Sequence, residues 1–176
     1  MNSRLSSRRI FLRAVEPEDA ILMSVAENDE CNIDFNGYCA PFSSRQLLEY
    51  ALSYDADPFR AGQIRMMMTD TESGNAIGIV DLTEISARDS HAFTGIYIFP
   101  DHRRRGYAKE ALELIASYAS STLRINTLGA KIAGDNDASI SLFEKAGYAF
   151  KGSLEKWTYS PHRKDTVDLL LYQKTI

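Results

Sequence analysis

The sequence predicts one mixed α/β domain over residues 1–176, a sheet with helices packed on it. Three observations carry that reading. Short runs of alternating apolar and polar residues mark strands, and apolar residues at spacings of three and four mark helices. Proline, glycine, asparagine and aspartate punctuate the runs where the chain must turn. The resulting order is strand, two helices, three strands, helix, strand, helix, two strands, with one strand–helix–strand crossover expected to be parallel and right-handed.

Arg9-Ile10-Phe11-Leu12-Arg13 is the first strand. Glu16-Pro17-Glu18-Asp19 starts a helix, with proline at its first position and acids in the first turn where the dipole favours them. Residues 27–42 form an irregular loop rich in acids and aromatics. Ser43 and Gln46 are spaced as a capping box for a second helix reaching about Tyr54, which Asp57-Pro58 closes. Ile64 to Thr69, Ala76 to Ile85 and Phe93 to Phe99 read as a three-stranded meander, and Pro100 ends it because proline has no N–H for a ladder. A helix over about 106–120 lines up Ala108, Ala111, Leu112, Ile115 and Ala119 on one face. Thr127 to Ala133 is a strand, Ala138 to Ala146 a short helix, and Gly147 a left-handed helix stop. Tyr148 to Leu154 and Thr166 to Lys174 close the chain as two strands around the loop 159–164.

Composition narrows the function. At 44% hydrophobic residues the chain has the length to bury a core. It starts on a polar segment and holds no 18-residue apolar run, so a cytoplasmic protein with no membrane span is expected. Cys31 and Cys39 are too few for a disulfide framework, and no His/Cys spacing suggests a metal. A net charge of −4 argues against nucleic acid as a partner.

One short stretch breaks the acidic trend. Arg103, Arg104, Arg105 and Lys109 stand against Asp101 alone at the joint between a strand and a helix. Cations oppose the positive end of a helix dipole, so their presence there suggests an anion to be bound. Gly106 lets the backbone approach a ligand closely, and the first free N–H groups of the following helix point at it.

The run Arg103-x-x-Gly106-x-Ala108 after an extended segment resembles the acetyl-CoA signature of the GNAT superfamily of N-acetyltransferases. Asn136-x-x-Ser139-Ile140-x-Leu142-Phe143-Glu144-Lys145-x-Gly147-Tyr148 resembles the second CoA-contacting helix of that family. Val80-Asp81-Leu82-x-Glu84-Ile85, Gly152-x-Leu154 and Asp165-x-Val167-x-x-Leu170-x-Tyr172 resemble the spermidine/diamine and ribosomal-protein alanine N-acetyltransferases in particular. The resemblance implies a mostly antiparallel sheet of about seven strands, splayed at its centre, with about four helices on its faces.

It also implies a chemistry. An acetyl group would pass from acetyl-CoA to a primary amine, a polyamine or a protein N-terminus, by direct attack in a ternary complex. Backbone N–H groups of about Arg104 to Ala108, Tyr107 among them, would cradle the diphosphate, with Arg103 or Arg105 adding charge. The backbone of Tyr97, Ile98 and Phe99 would pair with the pantetheine arm as an added strand, with Asn136 bonding the arm from the other side. The N–H of Ile98 or Phe99 would serve the charge that develops on the carbonyl oxygen. Many members place at Phe143 a tyrosine that protonates the departing sulfur, and phenylalanine has no proton to give. Ser139, one helical turn earlier, Tyr97 or a water is left for that step. Glu84, Asp81 or His91 would serve as base, Glu84 through a water.

The acceptor is expected over the acidic loop, where Glu27, Asp29, Glu30 and Asp34 lie beside Phe35 and Tyr38. Trp157 and Tyr159 would wall that pocket or pack the sheet edge. By resemblance the protein is also expected to be a homo-oligomer, a dimer or larger. The alternative to an enzyme is a non-catalytic acyl-CoA-binding sensor, which Phe143 would suit.

Overall fold

The computed structural model describes residues 5–29 and 40–176. Strand β1 (Ile10–Ala14) turns Ile10 and Leu12 inward. Pro17–Asp19 makes one 3-10 turn into α1 (Ala20–Glu27), and the Asp19 carboxylate closes it by accepting the Glu16 N–H and both Nη groups of Arg13. Burial works against that carboxylate, yet the Arg13 guanidinium holds it below the ordinary aspartate range. Ser43 and Gln46 cap α2 (Ser44–Leu52) reciprocally, as their spacing demands. Asp57-Pro58 does not end that helix. Asp57 accepts the N–H groups of Phe59 and Arg60 and so opens a short α3 (Pro58–Ala61).

The meander follows as β2 (Ile64–Asp70), β3 (Ala76–Ser86) and β4 (His91–Ile98). Next come α4 (Tyr107–Ser121), β5 (Thr127–Ala133) and α5 (Asp137–Lys145). The chain closes with β6 (Ala149–Ser160) and β7 (Asp165–Thr175). The seven strands form a single sheet in the order β1-β2-β3-β4-β5-β7-β6. All neighbours run antiparallel except β4 and β5. Seven strands and the mixed sense agree with expectation, and five helices rather than four are found among the described residues.

Alternation along the strands divides the core in two. Met66 and Met68 turn to the face covered by α4 and α5, while Met67 between them turns to the face covered by α1 and α2. Helix α4 buries Ala111, Leu112, Ile115, Ala116 and Ala119 against the first face. Its Leu112 and Ile115 each contribute about 1.5–3 kcal/mol relative to exposure. On β4 the even residues Ala92, Ile96 and Ile98 join the α4 side, and Tyr97 and Phe99 join the α1/α2 side.

The β4–β5 ladder is the decisive feature. It holds only for His91↔Thr127, Ala92↔Leu128 and Phe93↔Gly129, after which the strands separate. The expected central splay is therefore a wedge, closed at Phe93 and open towards the start of α4.

Candidate active site

The mouth of the wedge is a bare turn. After β4, Pro100–His102 form a single 3-10 turn, Arg103 is extended, and Arg104 and Gly106 both take left-handed backbone (φ +61° and +82°) before α4 begins. No side chain caps α4, and among the described residues the N–H groups of Arg104 to Ala108 meet no protein acceptor. Five converging donors on a helix N-terminus suit an anion. Only glycine fits this backbone without strain at position 106, where an added Cβ would also lie 3.4 Å from the Arg9 guanidinium.

Arg9 is the residue here that sequence reasoning missed. From just before β1 its Nη1 donates to the Arg105 carbonyl at 2.9 Å. Its Nε and Nη2 grip Glu110 at 2.8 and 2.6 Å, and its guanidinium lies 5.0 Å over the Tyr107 ring. Ser7 also donates to Glu110. Burial works to raise the Glu110 carboxyl, but Ser7 and Arg9 outweigh it and hold it below the ordinary glutamate range. No sequence signal marks Arg9, since its partner lies 101 residues away.

Hydrogen-bond parity corrects part of the expected arm contact. Phe99 N–H donates to the Ile77 carbonyl, and Tyr97 pairs with Ile79, so both residues spend their backbone on β3. The alternate residues Ile96 and Ile98 turn their N–H and C=O into the wedge. Of the two N–H groups assigned to the carbonyl oxygen, Ile98's faces the wedge and Phe99's does not. Ile96, not foreseen, offers a second.

Arg103 also differs from expectation. Its Nε donates to the Ile98 carbonyl at 2.9 Å, its Nη2 reaches Asp29 at 3.2 Å, and its guanidinium lies 5.4 Å over Tyr97. It sits at the wedge mouth on the α1/α2 side and not over the turn. Arg104 and Arg105 are exposed and make no ion pair among the described residues.

Asn136 caps α5, its Oδ1 accepting the Ser139 N–H at 3.0 Å, which leaves its amide NH2 as the group for a ligand. The Ser139 hydroxyl is half-buried and has no protein partner among the described residues. Phe143 is buried, edge-on to Tyr148 at 4.9 Å. The Tyr148 phenol, pushed up to about 12 by burial, shares a buried hydrogen bond of 3.1 Å with Thr94.

The α1/α2 face of β4 is crowded with paired charge. Tyr97 Oη donates to Asp29 at 2.6 Å, and burial together with that carboxylate pushes its phenol up to about 12. Arg65 bonds Asp81 through Nε and Nη2 at 2.9 and 2.8 Å, and Glu27 through Nη1 at 2.6 Å. Glu84 is aimed by a bulge in β3 and pairs with Lys131, whose Nζ lies 4.3 Å over the Phe93 ring. Asp81 and Glu84 are thus both engaged by cations. Glu30, Asp34, Phe35 and Tyr38 lie outside the described residues. Trp157 and Tyr159 are exposed on β6, which runs six residues past its expected end.

The family model described as an acetyltransferase (GNAT) domain matches residues 9–149. The chain belongs to the GNAT acetyltransferase family. It is 27% identical over 156 residues to the uncharacterized N-acetyltransferase YoaA of Bacillus subtilis, covering 88% of each chain. It is 27% identical over 154 residues to the spermidine N(1)-acetyltransferase of Vibrio cholerae, covering 88% of this chain and 84% of that one. A Vibrio cholerae spermidine N-acetyltransferase structure in complex with CoA and spermine shares the fold, with a TM-score of 0.82 at 23% identity over 96% of each chain. GNAT membership makes the protein an acyltransferase with acetyl-CoA as co-substrate, and the bare turn and unpaired strand backbone fit that molecule. Among the described residues no helix is long and apolar enough to cross a membrane.

Proposed function

We propose that the whole chain is one acetyl-CoA-dependent N-acetyltransferase domain whose acceptor is a cationic primary amine, a polyamine foremost. The observation that carries the cofactor half is the wedge that opens beyond Phe93↔Gly129 onto five N–H groups without a partner among the described residues. Arg104 to Ala108 bind the diphosphate through backbone, Arg104 and Arg105 add charge, and Arg9 fixes the turn by its bond to the Arg105 carbonyl. Ile96 and Ile98 orient the arm as strand partners, and the N–H of Ile96, the one nearer the closed end, meets the thioester oxygen as it gains charge.

The acceptor half rests on charge and on relatives. Glu27, Asp29, Asp81 and Glu84 stand on or beside the α1/α2 face against Arg65, Arg103 and Lys131, an excess of one negative charge. Such a face favours an ammonium over an anion. Relatives named spermidine N(1)-acetyltransferase support the polyamine choice. Glu84 takes the amine proton through a water, and Ser139 or a water returns one to the sulfur. Because the thiol leaves at a pKa of about 8.5, that last step asks little of an acid. Most of the acceleration then comes from holding amine and thioester together.

A homo-oligomer fits the edge strand β6, where Phe150, Trp157 and Tyr159 stand exposed, and one Vibrio cholerae spermidine N-acetyltransferase is dodecameric. The test of function is thiol release from acetyl-CoA with spermidine, spermine, a diamine and an alanyl peptide. Release with the polyamines above the peptide is expected. Tight acetyl-CoA binding without any acceptor-dependent release overturns the reading.

A further inference from the structure

The closed end of the wedge is filled from both faces of the sheet. On the α1/α2 face the Phe93 ring crosses from β4 to β5 and lies on Gly129, where an added Cβ would come within 2.7 Å of Cε1. Lys131, paired with Glu84, covers that ring. On the other face the buried Thr94–Tyr148 hydrogen bond closes the same level, backed by Phe143 at 4.9 Å. Glycine at 129 is needed by this packing alone, since its backbone is not left-handed.

The length of the donor brings its acyl group to this place, an argument that rests on the cofactor reading above. With the diphosphate at the turn, the extended pantetheine arm spans about 16 Å at ordinary bond lengths. Strand residues rise about 3.3 Å each, so the arm runs back about five residues from Phe99 and delivers the thioester near Thr94. Little more than one residue's rise then separates the acyl carbon from the last ladder pair, Phe93↔Gly129.

We propose that Phe93, seated on Gly129, and the Thr94–Tyr148 pair form a chain-length gate that admits an acetyl group and rejects longer acyl groups. Extra methylenes must push against packed aromatic rings, and overpacking of that kind should weaken binding by about tenfold or more.

Calorimetric titration of the full chain with CoA, acetyl-CoA, butyryl-CoA and hexanoyl-CoA tests this without any acceptor. Wild type should bind CoA and acetyl-CoA within about threefold of each other and the longer thioesters about tenfold or more weakly. Phe93→Ala should bring butyryl-CoA to within about threefold of acetyl-CoA. Gly129→Ala, which drives a methyl group into the ring, should weaken acetyl-CoA about tenfold while sparing CoA itself. Wild type binding acetyl-CoA and butyryl-CoA within threefold overturns the gate whatever the variants do. Failure to bind CoA at all overturns instead the cofactor reading on which the gate stands.

Discussion

The two sides of β4 are built from opposite materials. The side facing β5 presents main-chain groups that meet no partner among the described residues, the N–H and C=O of Ile96 and the N–H of Ile98, continued by the bare amides of Arg104 to Ala108. The α1/α2 face presents side-chain charges that are already matched: Tyr97 and Arg103 on Asp29, Arg65 on Asp81 and Glu27, Lys131 on Glu84. Unpaired backbone near a low-dielectric core is costly, so a fold keeps it only where something else pairs it. Matched charges can be held in place by packing alone and accept a ligand only by exchanging partners. On the proposed assignment the first side is therefore specific for one donor, and the second is adaptable to a class of acceptors.

The sharpest way to break this contrast is at Gly106. Gly106→Glu adds a side chain and a repelling charge to the amide cradle, and CoA affinity should fall by about 100-fold or more. The thermal midpoint should fall by only a few degrees, the cost of a side chain on left-handed backbone, because among the described residues nothing but the Arg9 guanidinium lies near the new Cβ. Calorimetric titration and a melting curve on one sample read both.

Arg65→Met makes the reverse separation. It leaves Glu27 and Asp81 without their cation, and breaking a mostly buried pair of this kind costs about 3–5 kcal/mol of stability. Burial pulls the Arg65 guanidinium down, but the two carboxylates raise it overall, so the protein never sheds that charge by titration. Urea unfolding should show the loss while CoA affinity at native conditions is unchanged. A loss below about 1 kcal/mol would mean that water already screens the trio.

Asp29→Asn probes exchange on the acceptor side. Tyr97 and Arg103 both lose a partner, and the acceptor KM should rise about tenfold with CoA affinity unaltered. The Tyr97 phenol, held near 12 by burial and by Asp29, should ionise at lower pH once that carboxylate is gone. A spectrophotometric titration of the variant against Tyr97→Phe isolates that change.

The smallest effect is expected at Glu110. Its carboxyl is held low in the folded state, so its contribution is full above the unfolded value and is lost as pH falls through the folded one. Arg9 is half-exposed, which limits that contribution to under about 1 kcal/mol. Glu110→Gln and wild type should therefore differ most in urea midpoint near neutrality and converge between about pH 5 and pH 3.

Much of the backbone side was legible beforehand. Strands such as 127–133 alternate cleanly, and a glycine at a strand–helix joint among misplaced cations points to the bare turn that is found there. Strand β6 was cut short because it is an exposed edge with a shifted register between Leu154 and Thr158, so no buried face imprints alternation on its sequence. The choice of Ile96 and Ile98 over Tyr97 and Phe99 needed the register against β3, which a single strand cannot reveal.

By itself, the sequence determined the element order, the bare turn at Gly106 and the absence of a tyrosine at position 143, all of which are local properties of the chain. Only the tertiary structure decided which charges meet: Arg9 with Glu110, Arg103 with Asp29, Arg65 with Asp81. Likewise it alone brought Phe93 onto Gly129 and Tyr148 to Thr94. The reason is physical. Backbone donors are placed by nearest-neighbour conformation, whereas side-chain partners are chosen by packing between segments whose separation along the chain carries no signal.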